Sequence, residues 1–351
     1  MTKQLKCAVI GYGGMGAWHA DKMKSMKFLD LAGVYDIKPE RNALAGTRGI
    51  HAYGSLKKLL ADPAVELVTI ATPNHVHKSI AVAALAAGKH VVCEKPVAMN
   101  CRELDEMIAA SKKHKRLFTV HQNRRWDSDY QTVKKILDAN TLGPVFNIES
   151  RVHGSRGIPS DWRNQKRFGG GMVLDWGIHL FDQALMMTLP RKITSVHARL
   201  THVTNTNCDD GYRVTLGFDD GLTFLIETGT SNFISLPRWY MLGENGSAIV
   251  QNWSCEGEIV MVSDWENRDA LPIVAGAGLT KTMAPRTDDT IKRYPLPKVK
   301  CDWVDFYKNV ADHIRNGAPI LVTHDQQRRL MRLVETIFAS AKANQVIRVK
   351  L

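Results

Sequence analysis

The sequence predicts an α/β protein in two parts: an N-terminal doubly wound parallel sheet, then an α+β domain with a large, mostly antiparallel open sheet. Three observations predict it. The apolar run Lys6–Ile10 leads directly into Gly11-Tyr12-Gly13-Gly14-Met15-Gly16 and then a helical stretch from about Ala17. Short apolar strands and helices alternate with brief connections as far as His121. From Thr194 the chain turns strand-rich, with Asp219-Asp220-Gly221 and Glu244-Asn245-Gly246 as hairpin signals. A chain of 351 residues exceeds one ordinary core. The expected division is 1–123 and 124–351.

Apolar residues make up 44% and charged residues 23%, the balance of a soluble globular protein. No apolar run approaches ~18 residues, so no membrane span is expected. The opening Met1-Thr2-Lys3 leads towards a strand without a leader-like apolar region or cleavage site. Cys7, Cys93, Cys101, Cys208, Cys255 and Cys301 show no CxxC or zinc spacing, so free thiols in a cytoplasmic protein are expected. The net charge of +12 admits a nucleic-acid partner, but the basic residues are dispersed. The densest run, Lys112 to Arg116, closes a predicted helix where cations suit the dipole. It reads as a solvated helix end, and neither a nucleic-acid nor a membrane partner is expected. A basic surface would also attract a phosphate-bearing cofactor.

Within the glycine loop, Gly11 allows the tight turn, Gly13 lets backbone approach a pyrophosphate, and Gly16 lets the helix pack on the strand. Tyr12, Gly14 and Met15 complete a loop at the start of a helix whose N-terminus faces the phosphates. The second strand, Leu29–Tyr35, ends in Asp36, 25 residues after Gly11, where a carboxylate accepts adenosine ribose hydroxyls. An acid there repels a 2′-phosphate, so NAD is favoured over NADP, with nearby Arg41 as the counter-signal. Ser55–Leu60 is a short helix. The strand Val65–Ala71 runs into Thr72-Pro73-Asn74-His75-Val76-His77, and an alanine-rich helix, Lys78–Ala87, stops at Gly88. His90–Cys93 is a strand followed by Glu94-Lys95-Pro96. Asn100–Lys113 is a helix, and Leu117–His121, counted as the sixth strand, leads into Gln122-Asn123-Arg124-Arg125-Trp126. Ligand contacts in such sheets sit at the carboxyl ends of strands, where these loops lie. An ammonium at Lys95 can hydrogen-bond an alcohol oxygen and lower its pKa. Pro96 stiffens the connection, a cis peptide being one way.

Gly169–Asp182 is the second chemical landmark: three glycines, then Asp175, and His179 four residues on. In a helix Asp175 and His179 lie one turn apart on one face, which Asp182 extends. A carboxylate beside an imidazole tunes a proton-transfer group near neutral pH; a histidine held there for structural reasons is the competing account. The glycines either bring backbone close to a ligand or turn the chain sharply into the helix. No HxH or HExxH spacing supports a metal site from His153, Asp175 and His179, and none is expected.

In the second part, Asp129–Asn140 is a helix with the stripe Val133, Ile136 and Leu137. Val145–His153 is a strand whose alternate residues Asn147, Glu149, Arg151 and His153 are polar, so one face is solvated or lines a site. The long polar loop 154–168 reads as functional rather than disordered. Thr194–Val203, Tyr212–Phe218, Leu222–Thr228, Arg238–Leu242 and Ser247–Asn252 are strands. One sheet face should pack on helices including 173–187; the other would be exposed in a monomer and suits oligomerisation. Residues 253–300 show no clear pattern. Trp303–Arg315 and Asp325–Ala343 are helices, the latter amphipathic through Leu330, Leu333, Val334, Ile337, Phe338 and Ala341.

The conjunction of Gly11-x-Gly13-x-x-Gly16, Pro73-Asn74-x-x-His77, Glu94-Lys95-Pro96 and Gly169-Gly170-Gly171-x-x-x-Asp175-x-Gly177-x-His179-x-x-Asp182 resembles the Gfo/Idh/MocA oxidoreductases, the group of glucose–fructose oxidoreductase and inositol 2-dehydrogenase. The resemblance covers essentially the whole chain. It implies a Rossmann domain, NAD(P)-dependent oxidation or reduction of a sugar or cyclitol hydroxyl, and Lys95, Asp175 and His179 as the catalytic group. Expected cofactor contacts are the Gly11–Gly16 loop, Asp36, Thr72, Pro73, Asn74, His77, Glu94, Lys95, Gln122, Asn123, Trp162 and Arg163. Expected substrate contacts are Lys95, Arg124, His153, Trp162, Asp175, Trp176 and His179. Arg124 and Arg125 equally suit ties between domains, and Trp126 either stacks on a sugar or packs. Arg156, Trp162 and Arg163 suit hydroxyls, a carboxylate or a cofactor phosphate. A homo-oligomer (dimer, tetramer or higher) through the C-terminal sheet is implied.

The expected reaction has His179, oriented by Asp175, removing a hydroxyl proton while Lys95 steadies the oxygen and hydride passes to nicotinamide. Trp126, Trp162 and Trp176 favour a pyranose or glycoside, oxidised at C3 as in a glycoside 3-dehydrogenase, over free inositol. The alternatives are an inositol 2-dehydrogenase, a glycoside hydrolase using bound NAD for transient oxidation and elimination, and a non-catalytic dinucleotide-binding sensor.

Overall fold

The computed structural model describes residues 4–267 and 271–351; Met1-Thr2-Lys3, where the leaderless start was expected, lie outside them. The first half runs β1 (Leu5–Ile10), α1 (Gly14–Ser25), β2 (Leu29–Tyr35), α2 (Pro39–Thr47), α3 (Leu56–Ala61), β3 (Leu67–Ile70), α4 (His77–Ala86), β4 (His90–Cys93), α5 (Cys101–His114) and β5 (Phe118–Val120). Its strands form a parallel sheet in the order β2-β1-β3-β4-β5. The order reverses at β1, the switch point where open α/β sheets bind ligands. Every residue of β3 and β5 is buried, as expected of strands covered on both faces. The count of six strands is one too many. The chain after Cys93 runs through Pro96 into the Asn100 cap of α5, forming no strand, so Phe118–Val120 is the fifth and lies at the edge.

Two glycines hold α1 against β1. Gly11 has φ +91°, and a Cβ there would lie 2.6 Å from the Ala71 carbonyl oxygen; at Gly16 it would lie 1.7 Å from the Gly11 carbonyl oxygen. No larger residue permits that approach.

The second half contains α6 (Ser128–Asp138), β6 (Val145–His153), α7 (Ile178–Met187), β7 (Ile193–Thr201), β8 (Gly211–Phe218), β9 (Thr223–Gly229), β10 (Trp239–Gly243), β11 (Gly246–Val250) and β12 (Gly257–Val262). A small hairpin, β13 (Ile273–Ala275) and β14 (Gly278–Thr280), precedes β15 (Ile291–Pro295), α8 (Val304–Asn316), α9 (His324–Ala343) and β16 (Ile347–Arg348). Among the described residues nine strands form one sheet, β15-β12-β11-β10-β6-β9-β8-β7-β16. Only the β6–β9 pair is parallel within it. Ile148, Val214, Leu216, Phe224, Ile226 and Met241 are buried, while Glu149, Leu225, Glu227 and Tyr240, at the alternate positions, stay half-exposed. No helix among the described residues is long and apolar enough to cross a membrane.

The division expected at residue 123 is crossed by the C-terminal helices. Tyr307 of α8 meets Thr69 of β3 (3.1 Å), and Thr119 of β5 donates to the Val322 carbonyl just before α9 (2.9 Å). Arg125, just past that division, ties two helices of the second half together. Its Nε and Nη2 each lie 2.7 Å from the Asp182 carboxylate of α7, and its Nη1 reaches the Leu321 carbonyl and Gln326 of α9. Arg125→Ala strands Asp182 as a buried, unpaired charge; it should cost about 3–5 kcal/mol in chemical denaturation, whereas a change near zero would show that the pair is solvated.

Candidate active site

The loop after β1 suits a dinucleotide on its own geometry. Helix α1 starts at Gly13 with no side-chain cap and no acid in its first turn, so its N–H groups are open to an anion. Nothing lies within 4 Å of a Cβ built on Gly14. Asp36 is buried and accepts the Tyr12 N–H at 2.6 Å and the Lys38 N–H at 2.9 Å. Arg41 reaches the same carboxylate at 3.2 Å and also bounds the space beside Gly13. The Tyr12 ring is core, so only its backbone faces the loop, whereas Met15 is exposed. Thr72 Oγ1, just past β3, is buried without a partner among the described residues, a polar atom a bound cofactor would satisfy.

The Lys95–Pro96 peptide is cis. Lys95 Nζ donates to Asp175 Oδ1 at 2.7 Å and to the Asp175 carbonyl at 3.2 Å, joining the β4 loop to the second half. Arg163 Nε stands 3.6 Å from the other Asp175 oxygen and bonds Asp161 at 2.7 Å. Burial pushes the Asp175 carboxyl up, but Lys95, Arg163 and Arg124 outweigh it and hold it below its ordinary value.

His179 departs from the expected arrangement. Val173–Gly177 forms a wider π-helical turn before α7, not an α-helical one. The Asp175 carboxylate is drawn to Lys95 and Arg163 instead of to His179. Asp175 pairs with Lys95, and Asp182 with Arg125. His179 Nδ1 is buried with no partner among the described residues. Burial, then the charges of Lys95 and Arg124, holds the imidazole well below 6.5, so it is neutral at pH 7.

The three glycines let the chain cross itself. A Cβ on Gly170 would sit 2.2 Å from the Arg163 carbonyl oxygen, and one on Gly171 (φ +104°) 2.2 Å from Asp209 Oδ1. Asn74 donates to the Gly169 carbonyl at 2.9 Å, tying the β3 loop to this crossing. Asp209 was not singled out in the sequence, yet it caps this helix. Its carboxylate accepts the Val173 N–H at 2.7 Å and its carbonyl the Met172 N–H at 3.0 Å. An Asp-Asp-Gly before a strand reads as turn chemistry, and no spacing rule links it to a helix start 36 residues earlier.

Several expected contacts are engaged inside the protein. Glu94 Oε1 lies 2.8 Å from both His19 Nε2 and His121 Nδ1, and its Oε2 accepts the Lys95 N–H. Burial pushes the Glu94 carboxyl up, but His121 and His19 hold it well below the usual range. His77 bridges the Thr72 and Pro96 carbonyls, both at 2.9 Å. Gln122 is buried and donates to Gln327. Both His153 nitrogens are used, by Glu227 (3.0 Å) and the Leu236 N–H (3.2 Å). Trp126 packs against Phe306. Pro73 and half-buried Asn123 open the short 3₁₀ turns after β3 and β5. The Arg163 guanidinium covers the Trp162 ring at 4.7 Å.

Arg124 lies 4.2 Å over the Trp176 ring, which stands 6.0 Å from the His179 ring. Trp253, from the stretch without a readable pattern, continues this wall 5.9 Å from Trp176 and is 48% exposed. The grouping close enough for a metal among the described residues is His19, Glu94 and His121, not His153, Asp175 and His179.

Burial pushes Asp209 up to about 6 from 3.8. The folded state then holds this proton more tightly than the unfolded one, so Asp209 contributes stability below pH ~4 that is lost as pH rises through ~6. Relative to Asp209→Asn, wild type should lose up to about 3 kcal/mol between pH 4 and 7 in chemical denaturation. A pH-independent difference would contradict the assignment.

The comparisons agree with this architecture. The model of an oxidoreductase family with an NAD-binding Rossmann fold matches residues 5–122, and the GFO/IDH/MocA C-terminal domain matches residues 130–249. An NAD-binding protein from Listeria innocua, known as a crystal structure, is 41% identical with a TM-score of 0.96, covering 99% of this chain and 100% of that one. The scyllo-inositol 2-dehydrogenase (NADP(+)) IolW of Bacillus subtilis is 24% identical over 98% of this chain and 95% of its own length. The myo-inositol 2-dehydrogenase of Thermotoga maritima is 30% identical over 51% of this chain and 54% of its own. The chain belongs to the Gfo/Idh/MocA family of oxidoreductases.

Proposed function

We propose that this chain is an NAD-dependent dehydrogenase that oxidises a secondary hydroxyl of a sugar, glycoside or cyclitol to the ketone. The observation that carries the reading is the Lys95–Asp175 ion pair beside a buried, neutral His179 whose Nδ1 has no partner among the described residues. Asp175 keeps the Lys95 ammonium aimed. Lys95 donates a hydrogen bond to the substrate oxygen, which lowers the hydroxyl pKa. His179, already neutral, takes the proton. The bound nicotinamide supplies the hydride acceptor. Arg163 and Trp162 close the site from the 154–168 loop.

Trp176 and half-exposed Trp253 offer an aromatic wall beside His179, which supports a glycoside whose second group stacks there, with oxidation at C3. The cyclitol reading stands second, supported by the names of the two inositol dehydrogenase relatives. Asp36 at the ribose end supports NAD, with Arg41 on the same carboxylate as the feature that would favour NADP. A homo-oligomer through the half-exposed sheet face belongs to this reading.

The test is absorbance at 340 nm with NAD+ or NADP+ and a panel of glycosides, free sugars and inositols. A rise with NAD+ and a glycoside is expected, falling about 10²–10⁴-fold in His179→Ala and Lys95→Ala. Turnover preserved in both variants would sink the assignment of roles. Aglycone release without net NADH would point to hydrolysis, and no turnover across the panel to a sensor.

A further inference from the structure

The densest basic run of the sequence is exposed, as its place at a helix end predicts, and it borders a cavity. Lys112, Lys115 and Arg116 form one wall of a cavity of about 560 Å³, a volume suited to a small molecule. The other walls come from distant parts of the chain: His313 of α8, and His324 and Arg328 at the start of α9. His90 and Phe118 line its floor. These begin β4 and β5, whose far ends lead to Glu94 and His121. The cavity and the candidate active site therefore occupy opposite edges of one parallel sheet, and the cavity is separate from the dinucleotide loop.

Its charge is one-sided. Lys112, Lys115, Arg116 and Arg328 line it against a single acid, Asp325. Arg328 is paired with Asp105 at 2.6 Å. No ion pair to an acid is found for Lys112, Lys115 or Arg116 among the described residues. Arg116 is held by the Gly88 carbonyl (2.6 Å) and the Lys115 carbonyl (3.4 Å), so its guanidinium is fixed without being neutralised. His90 accepts the Leu117 N–H at Nδ1 (2.9 Å), which leaves the ring's N–H on Nε2 as a neutral donor. Cations at the end of α5 would suit that helix's own dipole, but this alone explains neither the concavity nor the basic groups brought in by two other helices.

We propose that this cavity binds a small phosphate-bearing anion, either a sugar phosphate or a nucleoside monophosphate. A cavity of this volume has room for a single phosphorylated molecule.

The test is calorimetric titration of the full chain, first saturated with NAD+ so that the dinucleotide loop is occupied. The probes are inorganic pyrophosphate, glucose 6-phosphate and AMP. Saturable one-to-one binding is expected, weakened on the order of tenfold in the double variant Lys112→Glu/Lys115→Glu. Both lysines are exposed, so the double variant should fold and keep its basal activity; Arg328→Gln, on the opposite wall, should give a loss in the same direction. The tighter of glucose 6-phosphate and AMP identifies the source of the phosphate. No binding of any probe, equal binding by wild type and both variants, or binding of heparin alone would overturn the proposal.

Discussion

The structure turns on the ion pair between Lys95 and Asp175. It joins a strand end of the first sheet to the helix of the second half, and it commits the carboxylate four residues before His179. A histidine bonded to a carboxylate is held towards its charged form. One buried between a lysine and an arginine is held neutral. Burial comes first, and the Lys95 charge held by the pair adds to it in keeping the imidazole neutral. The supporting features serve to fix the pair: the π-helical turn aims Asp175, Asp209 caps that turn, and the glycine crossing brings the Arg163 loop against it. Arg125 and Asp182 lock the following helix to the C-terminal one.

Behind Lys95 lies a buried hydrogen-bond chain with one self-consistent direction. Thr69 donates to Tyr307, Tyr307 to His19 Nδ1, and His19 Nε2 and His121 Nδ1 both donate to Glu94. Burial raises the Tyr307 hydroxyl far above its ordinary value, keeping it a donor, and lowers His19, keeping it neutral. Glu94 remains an anion because two imidazoles donate to it, and it holds the Lys95 backbone with its second oxygen. The chain makes α8, almost the last helix, part of the support for a loop that ends the fourth strand.

Much of this was legible in the residues. Strand identities in the first half, the Gly11–Gly16 loop, Asp36 and the Lys95–Pro96 turn follow from local periodicity and backbone constraints, and local rules reach that far. The Asp175–His179 relation was misread because Lys95, 80 positions earlier, takes the Asp175 carboxylate, a partner no local spacing can show. Trp253 was missed because its neighbours carry no periodicity. His153, Gln122 and Trp126 were read as ligand contacts or candidates, but each finds a partner more than 70 positions away, beyond any window of sequence. The basic run at the end of α5 is exposed as read, but the cavity beside it is not legible locally because the helices that complete its walls lie some two hundred residues later.

The most direct test is the NMR titration of the His179 imidazole in wild type, Asp175→Asn and Lys95→Ala proteins. The account predicts a wild-type pKa well below 6.5 that rises when the Lys95 charge is removed. A wild-type pKa at or above 6.5 that falls in Asp175→Asn would show a carboxylate-paired imidazole, and would contradict the division of labour in which Asp175 serves Lys95 and leaves His179 free.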